Sequence, residues 1–140
     1  MECFLCHTRE AQHSSSIFES RKHQRVLALR NSLSRRGVSS WLDGNTVRGN
    51  ILESTVAAIE SSQCVVISLS NSLIGKVDSC RFSICQFEVN MAMRLKSETL
   101  VLVMIEPLIA LRSDSILGRF YSEHCVLPVL HMSICNSHDA

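Results

Sequence analysis

The side chains with the plainest chemical potential are thiols, imidazoles and one oddly placed carboxylate. The run Cys3-Phe4-Leu5-Cys6-His7 reads as C-x-x-C-H, the pattern that attaches a c-type haem. Its setting opposes that chemistry, because the run is apolar and strand-like, and residues three apart on a strand project from opposite faces. The two thiols would diverge. The opening Met1-Glu2-Cys3 also lacks the basic and apolar regions of an export signal. Zinc is the next candidate, given seven cysteines and six histidines. Cys80 and Cys85 are too widely spaced for a knuckle, and no second pair stands at ligand spacing, so no metal site is expected. The five glycines are scattered, with neither G-x-G-x-x-G nor a P-loop. Composition leaves a Ser/His/Asp triad open, although no G-x-S-x-G elbow is present. Glu88 remains. It follows Phe87, one residue off the apolar line Ile84–Phe87–Met91, which predicts a carboxylate at the border between core and cleft near the start of a helix. A boundary glutamate is ordinarily structural.

The elements that would position these groups alternate. Apolar, β-branched runs at Cys3–Cys6, Val38–Leu42, Cys64–Leu69, Thr99–Ile105 and Cys125–Leu130 read as strands. The middle runs are nearly continuous in apolar residues, the mark of strands covered on both faces. Between them, Val26, Leu29 and Leu33 recur at helical spacing and stop at Gly37, a natural residue just past a helix end. Leu52, Val56 and Ile59 make a second stripe, opened by Asn50 with Glu53 three residues on, the spacing of a capping box. Ile84, Phe87, Met91 and Leu95 make a third, with Ser83 and Gln86 in the same relation. Arg21-Lys22-His23 and Arg35-Arg36 read as solvated helix ends. The segment Pro107–Tyr121 predicts a short helix or an irregular crossover. Pro128 cannot donate to a ladder, so the last strand should be an edge or broken. Beyond Leu130 the closing helix is expected to be short or missing. Such alternation predicts a parallel sheet with helices on both faces.

Length and balance bound the partners. At 140 residues the chain has the size of one domain, 1–140. Apolar residues make up 46% and charged residues 19%, enough to bury a core and too apolar for disorder. A formal net charge of +1 offers no electrostatic footprint for nucleic acid or acidic membranes. The longest apolar run, Thr99 to Ile105, is far short of the roughly 20 residues that span a bilayer. An odd number of cysteines inside apolar runs (Cys3, Cys6, Cys64, Cys125) fits buried thiols in a reducing compartment. A cytoplasmic location is expected.

Taken in order, several motifs resemble a TIR (Toll/interleukin-1 receptor) domain. Phe4-Leu5-Cys6-His7 is similar to the family's first box, and Gly37 through Asp43 to its second strand and acidic turn. Asn45 through Asn50, with Gly49, stands in the place of the BB loop, followed by Ala58-Ile59-Glu60-Ser61-Ser62 in the next helix. Val65 through Ser70 resembles the third strand, Cys85-Gln86-Phe87-Glu88 the W-C-x-x-E signature, and Leu100 through Pro107 the fourth strand of Toll-like receptors. Ile84 stands where the signature has tryptophan. The stretch Glu10–Lys22 is longer than usual before the first helix, and no aromatic residue follows Gly49.

The resemblance implies a doubly wound, flavodoxin-like sheet of five parallel strands in the order 2-1-3-4-5, whose ligands bind outside the carboxyl ends of the strands. It also implies two kinds of activity. In some TIR domains a glutamate aligned with Glu88 serves cleavage of NAD⁺ at the nicotinamide–ribose bond, which would make NAD⁺ a substrate and require no cofactor. Arg9 aligns with an arginine near that substrate, and His7, Trp41, Asp43 and Gly49 would border it. Other TIR domains act as scaffolds, which here would use Asn45, Thr46, Val47, Arg48 and Asn50 to bind further TIR domains. Self-association would accompany either activity, and a third class is a decoy that blocks assembly.

Overall fold

The apolar runs pair into one sheet. In the computed structural model, which describes residues 1–7, 17–42, 51–109, 112–123 and 126–128, the strands are β1 (Glu2–Cys6), β2 (Ser39–Leu42), β3 (Cys64–Leu69), β4 (Leu100–Met104) and β5 (Val126–Pro128). All neighbours are parallel, in the order β2-β1-β3-β4-β5, the expected doubly wound arrangement. The register sets Phe4 opposite both Trp41 and Val65, and Val65 opposite Leu100. Pro128 closes the short edge strand opposite Met104, where a missing N–H costs no interior ladder bond.

Alternation along β1 and β3 feeds two cores. Cys3, Leu5 and Val66 face helix α1 (Ile17–Arg35) and its buried Val26 and Leu29. Phe4, Cys6, Val65, Ile67 and Leu69 face the other way, against α2 (Ile51–Ser61), α3 (Asn71–Asp78), α4 (Ile84–Leu95) and α5 (Ile116–Glu123). Cys3 and Cys6 therefore lie on opposite faces, as strand alternation requires.

Helix ends follow local chemistry. Gly37 takes φ +78°, its N–H donates to Ser34 O at 3.1 Å, and Val38 N–H donates to Leu33 O at 2.9 Å. That is the Schellman pattern, which needs a residue tolerant of left-handed backbone. Helix α1 begins at Ile17, so Arg21-Lys22-His23 sit inside it rather than at an end, and Ile17–Lys22 belong to the helix instead of the preceding loop.

Two apolar stripes differ in phase from the periodicity. Helix α2 buries Thr55 and Ile59 fully, while Leu52 and Val56 are half-buried. Helix α4 buries Cys85, Glu88, Val89 and Ala92, leaving Ile84, Phe87 and Met91 half-buried and Leu95 exposed. The shift is one residue, about 100° of helix. It moves Glu88 from the expected border to the middle of the buried face.

Helix α3 is an element the periodicity did not single out, although Leu73, Ile74 and Val77 supply its apolar face. Ser70 caps it, accepting from Leu73 N–H at 3.1 Å. The Glu106 carboxylate accepts from Asn71 N–H at 2.8 Å, placing negative charge at the helix N-terminus. The Asn71 side chain donates to Pro107 O at 2.9 Å and accepts from Ile109 N–H at 2.8 Å, tying the turn after β4 to the same helix end. Within Pro107–Tyr121 the structure resolves the open alternative as α5, capped by Ser115, whose Oγ accepts from Gly118 N–H at 3.0 Å. The cap expected at Asn50 and the tail beyond Leu130 lie outside the described residues.

Candidate functional site

At the carboxyl end of β1 the chain sets a thiol, an imidazole and a carboxylate in succession across two elements. Cys6 ends β1 and points toward α4, the side dictated by alternation with Phe4. Ser83 starts α4 by accepting from Gln86 N–H at 3.1 Å, half of the expected capping box. The other half is replaced: Gln86 Nε2 donates to Val77 O at 3.1 Å and Ser79 O at 2.9 Å. Those bonds satisfy carbonyls at the C-terminus of α3 and fix the α3–α4 connection.

With that start fixed, Glu88 falls in the second turn of α4 and faces the sheet with only 1% of its surface exposed. Cys6 Sγ donates to Glu88 Oε2 at 3.4 Å. Cys85, one turn earlier, donates from Sγ to His7 O at 3.8 Å, which holds the start of the helix against the end of the strand. A carboxylate taken out of water needs donors aimed at it, and the thiol is one of them.

His7 is 6% exposed, and its ring turns the other way. Its centroid lies 6.2 Å from that of His23 on α1. The His7 ring thus sits on the α1 side of the sheet edge, whereas Glu88 approaches from the α4 side. The backbone of Trp41 lies in β2 opposite Phe4, close to that strand's carboxyl end. Arg9, Asp43 and the loop residues Asn45, Thr46, Val47, Arg48, Gly49 and Asn50 lie outside the described residues. Of the expected site, the structure brings together Glu88 and the end of β1. Cys6 was not among the expected site residues. Its position in the first box, one alternation step from Phe4, carries the signal that would have found it.

Among the described residues no three His, Cys, Asp or Glu side chains gather at ligand distance. No helix of the described residues is long and apolar enough to cross a membrane.

Comparison with known proteins places this geometry. A prokaryotic SEFIR domain of known crystal structure superposes with a TM-score of 0.64, over 98% of this chain and 92% of that one. Their sequences are 18% identical, so the likeness speaks for the fold. No curated protein matches the chain. The family model described as TIR domain matches residues 4–126, from the first residue of the box on β1 to the start of the edge strand. The chain belongs to the TIR domain family.

Proposed function

We propose that this TIR signalling domain cleaves NAD⁺ at the nicotinamide–ribose bond when it self-associates, with Glu88 as the catalytic group. The observation that carries the reading is the buried Glu88 carboxylate, bonded by Cys6 at the carboxyl end of a central parallel strand. Ligands of open parallel sheets gather at that edge. A buried carboxylate is costly to keep, so its presence inside an otherwise apolar helix face favours a functional role over a packing one.

The chemistry asks little of the protein. Nicotinamide departs as a neutral base, so its leaving needs no proton. The positive charge it held moves to the ribose as an oxocarbenium-like centre, and a carboxylate beside that ring stabilises it. Burial strengthens this interaction, since few waters screen it. Arg9, His7, Trp41, Asp43 and Gly49 are the residues that would hold the substrate around this group, with NAD⁺ as substrate and no cofactor required.

The test is nicotinamide release from NAD⁺ by concentrated protein, followed by chromatography. The unaltered chain should release nicotinamide, and Glu88→Gln should lose at least about a hundredfold, the scale of one lost transition-state interaction. Full activity in Glu88→Gln, or none in the unaltered chain at high concentration, rejects the reading.

One observation favours a second reading, the non-enzymatic scaffold that binds other TIR domains through Asn45, Thr46, Val47, Arg48 and Asn50. The run Leu100–Pro107, similar to the fourth strand of Toll-like receptors, forms β4 and the turn after it, where Glu106 accepts from Asn71 N–H. On that reading, Arg48→Ala abolishes binding to a partner TIR domain in a pull-down, and Glu88→Gln leaves it unchanged. Binding that survives Arg48→Ala counts against it.

A further inference from the structure

At the opposite, amino edge of the sheet, two thiols meet without any part in the site above. Cys3 and Cys64 are direct partners in the β1–β3 register. Opposite residues of a parallel pair project from the same face, and both side chains pack into the α1-side core. Neighbouring strands run about 4.8 Å apart, inside the roughly 4.4–6.8 Å Cα span that a disulfide bridges. The two thiols are close enough that each shifts the other's proton affinity. They differ in access: Cys3 is fully buried, while Cys64 is partly exposed.

We propose that Cys3 and Cys64 form a two-cysteine oxidation site, which a hydroperoxide converts to a disulfide clamping the two central strands. Access assigns the roles. An oxidant arriving from water meets Cys64 first. Burial raises both thiols, Cys3 to about 11 with the neighbouring Cys64 adding to the rise, and Cys64 above 9.0 although Cys3 offsets part of that rise. Cys64, the sulfur that the oxidant reaches, is the attacking one, and the buried Cys3 is the resolving one.

The steps balance. The Cys64 thiolate attacks the outer oxygen of the hydroperoxide, the O–O bond breaks, and the alkoxide takes a proton and leaves as alcohol or water. Cys64 is left as a sulfenic acid. The Cys3 sulfur then attacks the Cys64 sulfur, the S–O bond breaks, and hydroxide leaves as water with the Cys3 proton. Two thiols have lost two electrons, and the peroxide has gained them. Cys80 is exposed on the segment between α3 and α4 and serves as an internal comparison.

The experiment treats the full chain with hydrogen peroxide, blocks remaining thiols under denaturing conditions, and maps the peptides by mass. The expected product is a peptide pair joined through Cys3 and Cys64, lighter by two hydrogens and separated again by dithiothreitol. In Cys3→Ser the resolving thiol is gone, and dimedone should trap a sulfenic acid on Cys64. In Cys64→Ser, Cys3 should stay reduced. Two outcomes overturn the proposal: both cysteines still blockable after Cys80 has oxidised, or Cys64 carried to sulfinic acid with no link to Cys3. The map of the unaltered chain decides the matter even if a variant does not fold. None of these readouts depends on NAD⁺ cleavage.

Discussion

The Cys6 thiol donates to the Glu88 carboxylate at 3.4 Å, joining residues 82 positions apart at the end of a central strand. This bond fixes which way the carboxylate faces, because it engages one oxygen from the sheet side. A thiol is a weak donor, so its bond contributes about 0.5–1.5 kcal/mol, which corresponds to roughly two- to tenfold in a rate that depends on the group. Under the proposed activity, Cys6→Ala should lower kcat of nicotinamide release by about that factor and leave KM nearly unchanged. Cys6→Ser, which still donates, should retain most of the rate. Equal loss in both variants, or a change confined to KM, would remove Cys6 as a positioning residue.

Gln86 ties the start of α4 to the end of α3 by donating to Val77 O and Ser79 O. Replacing it by alanine orphans two carbonyls and should cost about 1–2 kcal/mol in urea denaturation. Glutamate at the same position is isosteric but turns the donor into a charge facing two carbonyl oxygens. Gln86→Glu should therefore be less stable than Gln86→Ala at neutral pH. The reverse order would show that the amide bonds carry no weight.

The same helix shows where the sequence was legible and where it was not. The runs Cys3–Cys6 and Cys64–Leu69 were readable because both faces are covered, so every residue type in them is apolar or small. Gly37 was readable because positive φ selects glycine. The phase of α4 was not readable. Its periodicity offers Ile84, Phe87 and Met91 as the inner stripe, yet the inner face is Cys85, Glu88, Val89 and Ala92. Small and charged residues sit inside because the helix packs close to the strand ends, and the larger side chains spread at its flanks. A hydrophobic stripe assumes that polar means outside, and that assumption fails where a carboxylate is buried with a thiol. Helix α2 repeats the point with Thr55 in its buried face. Helix α3 is only eight residues long, too short for its pattern to stand out from the loop around it.

Gly118 lies in the first turn of α5 where the preceding chain passes close. A Cβ built there would fall 1.8 Å from Arg112 O and 2.8 Å from Arg112 C, both backbone atoms. No rotamer can relieve such a clash, so Gly118→Ala should displace the 112–115 turn or the helix. The usual helical gain of alanine over glycine, about 1 kcal/mol, is then outweighed by overpacking of about 1–3 kcal/mol. The variant should lower the thermal midpoint, with the α5 amides losing hydrogen-exchange protection first. A neutral or stabilised variant would mean that this approach relaxes at no cost.

Cys3 links stability to alkaline pH. Burial, together with the neighbouring Cys64 thiol, raises it from 9.0 to about 11. The folded chain thus holds the Cys3 proton more tightly than the unfolded chain does. A raised pKa contributes stability that is fully present below the unfolded value and lost as pH rises through the folded one. The contribution should therefore be complete below about pH 9 and fade toward about pH 11. Lysine and tyrosine titrate in the same window, so the measurement is a difference. The urea midpoint of the unaltered chain should fall more steeply between about pH 8.5 and about pH 10.5 than that of Cys3→Val, which fills similar space without a proton to lose. Parallel slopes would mean that the Cys3 thiol titrates alike in both states, and that its burial beside Cys64 is not maintained in solution.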